Sequence, residues 1–537
     1  MKPLLTALLA ALAVFTLAAH AQTKMNYANR TDQALAGIFE AREKDWRNGA
    51  IVYQVLVDRF APPADLQSKK ALYPPPKVLR GWNELPKAGT YVEGAKVWSH
   101  EIEFWGGDLA SVSGKLDYVQ QLGADVLYLN PIHLAYTNHK YDALDFKQVS
   151  SEFGTRADAT KLAEAVHRRG MKLVLDGVFN HMGRNSTLFK QAEADPNSPY
   201  RDWFFFGPQY PGGARAWALA ENLPELNLEN PKVRNFVYAG RDSVVRGWLR
   251  DGIDGWRLDV AFDIGFRFLD ELTQAAHAEK PGSLVIGEIA NYPREWFPAV
   301  DAVLHFTLRK IILAVASGQM EAPHATRAIS RIIVDAGIDN MLKSWVYLGN
   351  HDTERLATVL PDEKQRRLAQ LLQFTLPGAP NLYYGDELAM TGGGDPEMRA
   401  PMRWDLVRDD HAPLAWTRKL IEVRKQHRAL RVGNFRLPEA DRLIAFERYT
   451  DRVADTVIVL INPSPVEVRE TVLLTNSKLM DGTRMIDLFA TTHATHTGAP
   501  IHISSSLLDV TVPAQGFLVL KPDVAPQGGY TNYKRVQ

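Results

Sequence analysis

Gly255-Trp256-Arg257-Leu258-Asp259 closes an apolar run, Ile253 to Val260, with a carboxylate. In a β-strand residues two apart share a face, so Arg257 and Asp259 stand side by side, and the fixed positive charge favours the ionised carboxylate that a nucleophile needs. A buried structural ion pair would have the same spacing. Glu288 ends a second apolar run that includes Val285 and Ile286, a setting that suits a carboxyl holding its proton for a leaving oxygen. One carboxylate as nucleophile and another as acid and base is the equipment of glycoside cleavage. Asn350-His351-Asp352 ends a third run and could grip sugar hydroxyls, or Asp352 could cap a helix. Asp176 to His181 resembles a metal-ligand spacing only superficially, because Asn180 and His181 are neighbours and no His-x-x-x-His accompanies them. No catalytic metal is expected from it.

Groups so far apart in the chain need a scaffold that gathers strand ends. Apolar runs at Ile51–Val57, Asp125–Pro131, Lys172–His181, Ile253–Val260, Leu284–Glu288, Trp345–Asp352 and Asn381–Glu387 read as strands, with a weaker one from Ala302. Helical spacing stands between them at Asp108–Leu122, Thr160–Arg169, Val233–Arg250, Phe266–Ala278, Ala325–Ala336 and Lys364–Phe374. Eight strands apolar throughout, alternating with helices, predict an α/β fold: a (β/α)8 TIM barrel over 51–428, whose chemistry sits at the C-terminal strand ends. The polar stretch Ala61–Glu103 reads as a long surface loop. Residues 182–228, too long for an ordinary loop, read as a small inserted subdomain after strand 3. After the last helix, Leu414–Gln426, β-branched runs such as Thr456–Ile461 predict a C-terminal all-β domain, read as a β-sandwich over 429–537.

Composition narrows the partners. Lys+Arg and Asp+Glu both number 62 in 537 residues, so neither nucleic acid nor an anionic membrane is implied and a neutral ligand fits. Met1–Ala21 combines Lys2, an apolar stretch and Ala19-His20-Ala21, which reads as a secretory signal and predicts a periplasmic or secreted protein, with 22–50 as an N-terminal segment. The chain has no cysteine, hence no disulfide, thiolate metal site or lipid-attachment thiol, and no later run is apolar enough for a membrane anchor.

Taken jointly, Asp176-Gly-Val-Phe-Asn-His181, Gly255-Trp-Arg-Leu-Asp259, Gly287-Glu288 and Asn350-His-Asp352 resemble the motifs of the alpha-amylase superfamily, glycoside hydrolase family 13, in that family's order. The resemblance runs from about Ile51 to the C-terminus. It implies Asp259 as nucleophile, Glu288 as acid/base and Asp352 as the carboxylate that binds and distorts the sugar; His181, Arg257 and His351 would line the same subsite and Tyr141 would stack on the ring. Asn138-His-Lys-Tyr-Asp142, Leu223-Pro-Glu-Leu-Asn227 and the segment from Thr391 to Asp405 are similar to the cyclomaltodextrinase, neopullulanase and maltogenic amylase group, in which Asp395 and Arg399 match a grip on the non-reducing side. The implied substrates are α-glucan oligosaccharides. A general alpha-amylase or alpha-glucosidase is the second reading, and a non-catalytic glucan-binding relative the remote one.

Two departures touch the leaving-group side: Ala290 stands where the group usually has an aromatic residue, and Phe262-Asp263 where it has Asn-Glu. The resemblance implies no required cofactor. Calcium is not supported by a clear site, since Asp58-Arg-Phe-Ala-Pro-Pro63 lacks the Asn/Asp-rich loop of many relatives and Asn180 alone does not make a six-oxygen site. Only some 29 residues separate Ala21 from Ile51, too few for the group's N-terminal sandwich of about 100 residues, so a monomer with an open cleft is expected. A chelator should therefore leave turnover and melting temperature unchanged; a loss restored by calcium would reveal a site assembled from distant oxygens.

Overall fold

The computed structural model describes residues 32–490 and 500–536, so the segment read as a signal lies outside the described residues. Eight short parallel strands, buried at almost every position, close on themselves in chain order. They are β1 (Val52–Val55), β2 (Val126–Leu129), β3 (Lys172–Gly177), β4 (Gly255–Leu258), β5 (Leu284–Ile289), β6 (Ala302–His305), β7 (Trp345–Tyr347) and β8 (Ala379–Tyr383). This is the (β/α)8 barrel the apolar runs predict.

Period-2 alternation sorts the side chains. Val52, Val126, Val174, Leu284 and Trp345 fill the interior, while Tyr53, Leu127, Trp256, Val285 and Val346 face the helices. Further along the strands the interior positions turn polar, with Gln54, Asn130, Asp176, Arg257 and Asn381 all buried. Register does the rest: Arg257 pairs with Asp176 across β3 and β4, and Leu258 with Gly287 across β4 and β5, which brings Asp259 level with Glu288.

The helices follow their sequence signals with local corrections. Thr155 caps Arg156–Arg168 in a capping box with Asp158, so that helix starts before the predicted Thr160. The continuous helix expected over 233–250 is divided: a π-turn ends at Gly240, whose backbone is extended, and helix resumes at Val244–Arg250. The weak signal after Ala302 arises because β6 runs straight into the apolar helix Phe306–Ala316, leaving no polar loop to mark the boundary.

Two segments are more structured than the sequence suggests. Residues 61–103 are not merely a loop: Tyr73, Val97, Ile102 and Phe104 make a small core of their own, beneath the hairpin of Tyr91–Val92 and Val97–Trp98. Its strands are two residues long, too short for any period to register. A second hairpin, His133–Ala135 with Ala143–Val149, follows β2. At its turn Asp142 accepts from the Thr137 hydroxyl at 2.5 Å and pins the loop that carries Tyr141.

The C-terminal strands form one eight-stranded sheet whose pairs are antiparallel, ordered β9-β10-β11-β16-β13-β14-β15-β12. They are β9 (Asn434–Arg436), β10 (Ile444–Tyr449), β11 (Val457–Asn462), β12 (Val468–Leu473), β13 (Arg484–Asp487), β14 (Ile501–Ser504), β15 (Leu507–Val512) and β16 (Gly516–Pro522). β11 is buried on both faces: Val457, Val459 and Ile461 join the core that continues into the barrel, and Ile458 and Leu460 the core of the sheet itself. The buried Arg448 guanidinium donates to the carbonyls of Thr375 at 2.8 Å and Gly433 at 2.9 Å, where Thr375 is the last residue of the helix Glu363–Thr375 and its carbonyl would otherwise lack a partner. Leu460→Ala should lower unfolding free energy by about 2–5 kcal/mol, a change read as a shift of the urea midpoint.

Candidate active site

One guanidinium organises the floor of the site. Arg257 Nη1 donates to Asp176 Oδ1 at 2.9 Å and to Asp259 Oδ1 at 3.0 Å, and Nη2 lies 2.6 Å from Glu288 Oε1. The Arg257 side chain is 1% exposed, against 9% for Asp259 and 13% for Glu288. Glu288 takes a second contact from the backbone: Val260, at φ 46° and ψ 42°, turns its N–H onto Glu288 Oε2 at 3.0 Å. A β-branched residue in the left-handed region costs of order 1–3 kcal/mol and persists only where the surroundings impose it.

The electrostatics correct one expectation. Arg257 was expected to hold Asp259 ionised; instead burial, joined by the Glu288, Asp176 and Asp352 carboxylates, pushes the Asp259 carboxyl well above its ordinary value, with Arg257 opposing. One cation faces several acids, so the Asp259 carboxyl is harder to ionise than a pairing with Arg257 alone would make it. Asp352 goes the other way: its side chain is 46% exposed at the cavity, and His351 and Arg399 outweigh desolvation to hold its carboxyl below the usual range.

A polar layer supports these groups. Tyr141 Oη donates to Asp176 Oδ2 at 2.8 Å, and Tyr128 Oη donates to the same oxygen at 2.5 Å. Gln54 and Asn130 each aim an amide nitrogen at His351 Nδ1, both at 3.0 Å, which makes Nδ1 an acceptor and turns Nε2 toward Asp352 Oδ2 at 2.9 Å. Arg399 Nη2 reaches Asp352 Oδ1 at 3.1 Å, and Nη1 lies 3.2 Å from Asp395. Burial depresses His181 to about 3, so its ring is neutral; it stacks on Trp217 at 5.8 Å, and Nε2 has no partner among the described residues.

All nine residues singled out in the sequence converge. Asp259, Glu288, Asp352, Tyr141, His181, Asp395 and Arg399 line a cavity of about 650 Å³, and Arg257 and His351 lie directly beneath it through the contacts above. The cavity is within the range of about 300–1,000 Å³ that takes a small ligand. The sequence reading missed the outer walls: Tyr91, Lys96, Trp98 and Glu101 from one insertion, Trp217 and Leu219 from the other, and His139 and Phe306. Trp98 is 49% exposed, and tryptophans within polar, proline-rich stretches were the available signal. Phe262 and Ala290, the two departures noted above, also line it. Among the described residues no group of three or more His, Cys, Asp or Glu is placed to hold a metal ion, and no helix is long and apolar enough to cross a membrane.

A closed parallel barrel with carboxylates gathered at the C-terminal ends of β4, β5 and β7 defines the class, a barrel hydrolase with an acid-base site. The alpha-amylase catalytic-domain model matches residues 54–434, and the chain belongs to the alpha-amylase family of glycoside hydrolases. It is 30% identical over 490 residues to neopullulanase 2 of Thermoactinomyces vulgaris, covering 88% of this chain and 78% of that protein. It is 31% identical over 503 residues to a cyclomaltodextrinase of Geobacillus thermopakistaniensis, covering 88% and 77%. The solved ligand-free structure of the cyclic alpha-maltosyl-(1→6)-maltose hydrolase of Arthrobacter globiformis superposes with a TM-score of 0.72 at 28% identity, over 89% of this chain and 100% of that one. The enzyme is thus a glycosidase of the cyclomaltodextrinase and neopullulanase type.

The relatives overturn the localisation. The periplasmic or secreted placement read from Met1–Ala21 is withdrawn: a Bacillus subtilis relative, 31% identical over 466 residues and covering 83% of this chain and 74% of its own, is an intracellular maltogenic amylase. An apolar N-terminal stretch is a compositional signal only, and no described residue supports it.

The raised Asp259 carboxyl has a thermodynamic sign. A group whose folded pKa is raised costs stability once pH exceeds its unfolded value of 3.8, the cost growing until pH passes the folded value. Asp259→Asn should therefore melt higher than wild type at neutral pH, with the gap closing as pH falls toward about 4. Calorimetry at the two pH values checks this; superimposable neutral melts would mean that Arg257 compensates fully.

Proposed function

We propose that this enzyme is a retaining α-glycosidase cleaving α-1,4-glucosidic bonds in maltooligosaccharides, cyclomaltodextrins or related α-glucans. The observation that carries this reading is the shared grip of Arg257 on Asp259 and Glu288, which places two carboxylates from adjacent strands on one face of the cavity. Asp259 attacks the anomeric carbon while Glu288 gives its proton to the leaving oxygen; the glycosyl-enzyme then reacts with water from which Glu288 removes a proton. The first step requires a proton on Glu288 and an ionised Asp259 when the substrate arrives.

The remaining residues bind and orient. Asp352, ionised and anchored by His351 and Arg399, accepts from sugar hydroxyls and favours the distorted ring. Tyr141 lies flat beside His351, with rings 5.2 Å apart and 3° from parallel, as a platform for the sugar. The free Nε2 of His181 donates or accepts according to tautomer, and Arg399 with Asp395 grips the non-reducing side. The names of the relatives, neopullulanase and cyclomaltodextrinase, favour α-glucans such as pullulan and cyclomaltodextrins as substrates. The working unit in this reading is a monomer.

Asp259→Asn and Glu288→Gln should each lower kcat on maltotriose by about a thousandfold or more while the protein stays folded, because each removes a group that acts only in the chemical steps. Substantial turnover by a folded Asp259→Asn variant would reject the assignment. NMR of the first product should reveal the α anomer, and a β anomer seen first would reject retention. Light scattering checks the monomer.

A further inference from the structure

The two insertions that overhang the cavity meet. Lys96 sits at the tip of the 91–98 hairpin with φ 56°, in the turn where its N–H bonds to the Val92 carbonyl at 2.9 Å. Its Nζ lies 3.0 Å from Glu93 Oε2 within the hairpin and 3.5 Å from Glu221 Oε2, which belongs to the insertion after β3. Both Lys96 and Glu221 line the cavity. Glu221 is held from behind: Arg184 Nε donates to its carbonyl at 2.8 Å, and the Arg184 Nη2 donates to the Gly212 carbonyl at 2.7 Å, fixing the neighbouring turn. The hairpin is held too, since the Trp98 ring lies over His100, and His100 Nε2 stands 3.3 Å from Asp395. Two anchored lobes that both line the cavity are thus joined by an ion pair, where the sequence alone led us to expect an open cleft.

We infer that Lys96 and Glu221 form a clasp that closes the cleft into a pocket and so selects short α-glucans over polymers. This rests on the reading of the site as α-glucan-cleaving. A pocket bridged between two lobes admits a chain end or a small ring, whereas a long glucan must thread beneath the bridge or wait for it to part. The pair is part-exposed, at 36% and 31% of side-chain surface, so it opens readily and acts as a filter rather than a seal. Neither side chain takes part in the chemistry; each sets which substrates reach it.

The test is the ratio of kcat/KM on soluble starch to kcat/KM on maltotriose. Lys96→Ala and Glu221→Ala should each raise that ratio about two- to fivefold, the range expected for loss of one part-exposed pair. The charge exchange Lys96→Glu with Glu221→Lys should bring it back toward wild type, and about 1 M salt should raise it in wild type but not in the single variants. Single variants with an unchanged ratio, or an exchange that leaves the ratio raised, would overturn the clasp. An enzyme inactive on every α-glucan would sink the functional reading instead, and the clasp would then be judged by crosslinking. The chain has no cysteine, so Lys96→Cys with Glu221→Cys offers two unique thiols to a short bismaleimide. Ready intramolecular crosslinking supports the clasp, and none overturns it.

Discussion

A buried guanidinium surrounded by acids is the constraint on which the rest depends. Arg257 has almost no access to water, and a charge in that position is tolerated only where its partners come to it with good geometry. Those partners come from three strands, so barrel closure, register and alternation must all be right before the site exists. A one-residue slip in β4 would turn Arg257 outward toward the helices and leave Asp176 and Glu288 unpaired in the interior. The apolar lower layer of the barrel supplies the rigidity that holds this register, and the polar upper layer supplies the chemistry.

The site spends stability for that arrangement. Several carboxylates share one cation, Val260 is held in the left-handed region, and His181 keeps a buried nitrogen without a partner among the described residues. Each is a local cost that the packed barrel beneath it can support. Each also has a use in the proposed chemistry: two carboxylates held side by side, a backbone N–H directed at Glu288, and a polar atom left for substrate.

Around the floor the structure is layered by origin. Strand ends carry the reacting groups, the loop after β2 carries Tyr141, and the segment after β8 carries Asp395 and Arg399. The two longest insertions contribute aromatic side chains and one ion pair to the rim. In the proposed reading reaction type belongs to the barrel and substrate size to the insertions, which can vary without disturbing the register below.

How much could be read in the sequence follows from how local each signal is. Strand identity was legible because both faces of each barrel strand are buried and the runs are apolar throughout. The nine site residues were legible because each stands at or near the end of such a run, or within a short motif matching a known family. The weak β6, the divided helix at Gly240 and the two hairpins were not, since their boundaries are marked by tertiary packing rather than by composition. Lys96 and Glu221 lie 125 positions apart in segments without periodicity, and nothing in either segment announces the other. The direction of the Asp259 shift was equally hidden, because it depends on how many carboxylates surround one guanidinium. The sequence by itself determined the barrel, its family and the carboxylates that gather at the strand ends, since these follow from burial patterns and contiguous motifs. Only the tertiary structure decided the direction of the Asp259 shift, the strained turn at Val260 and the meeting of Lys96 with Glu221, because all three arise from contacts between residues that the chain keeps far apart.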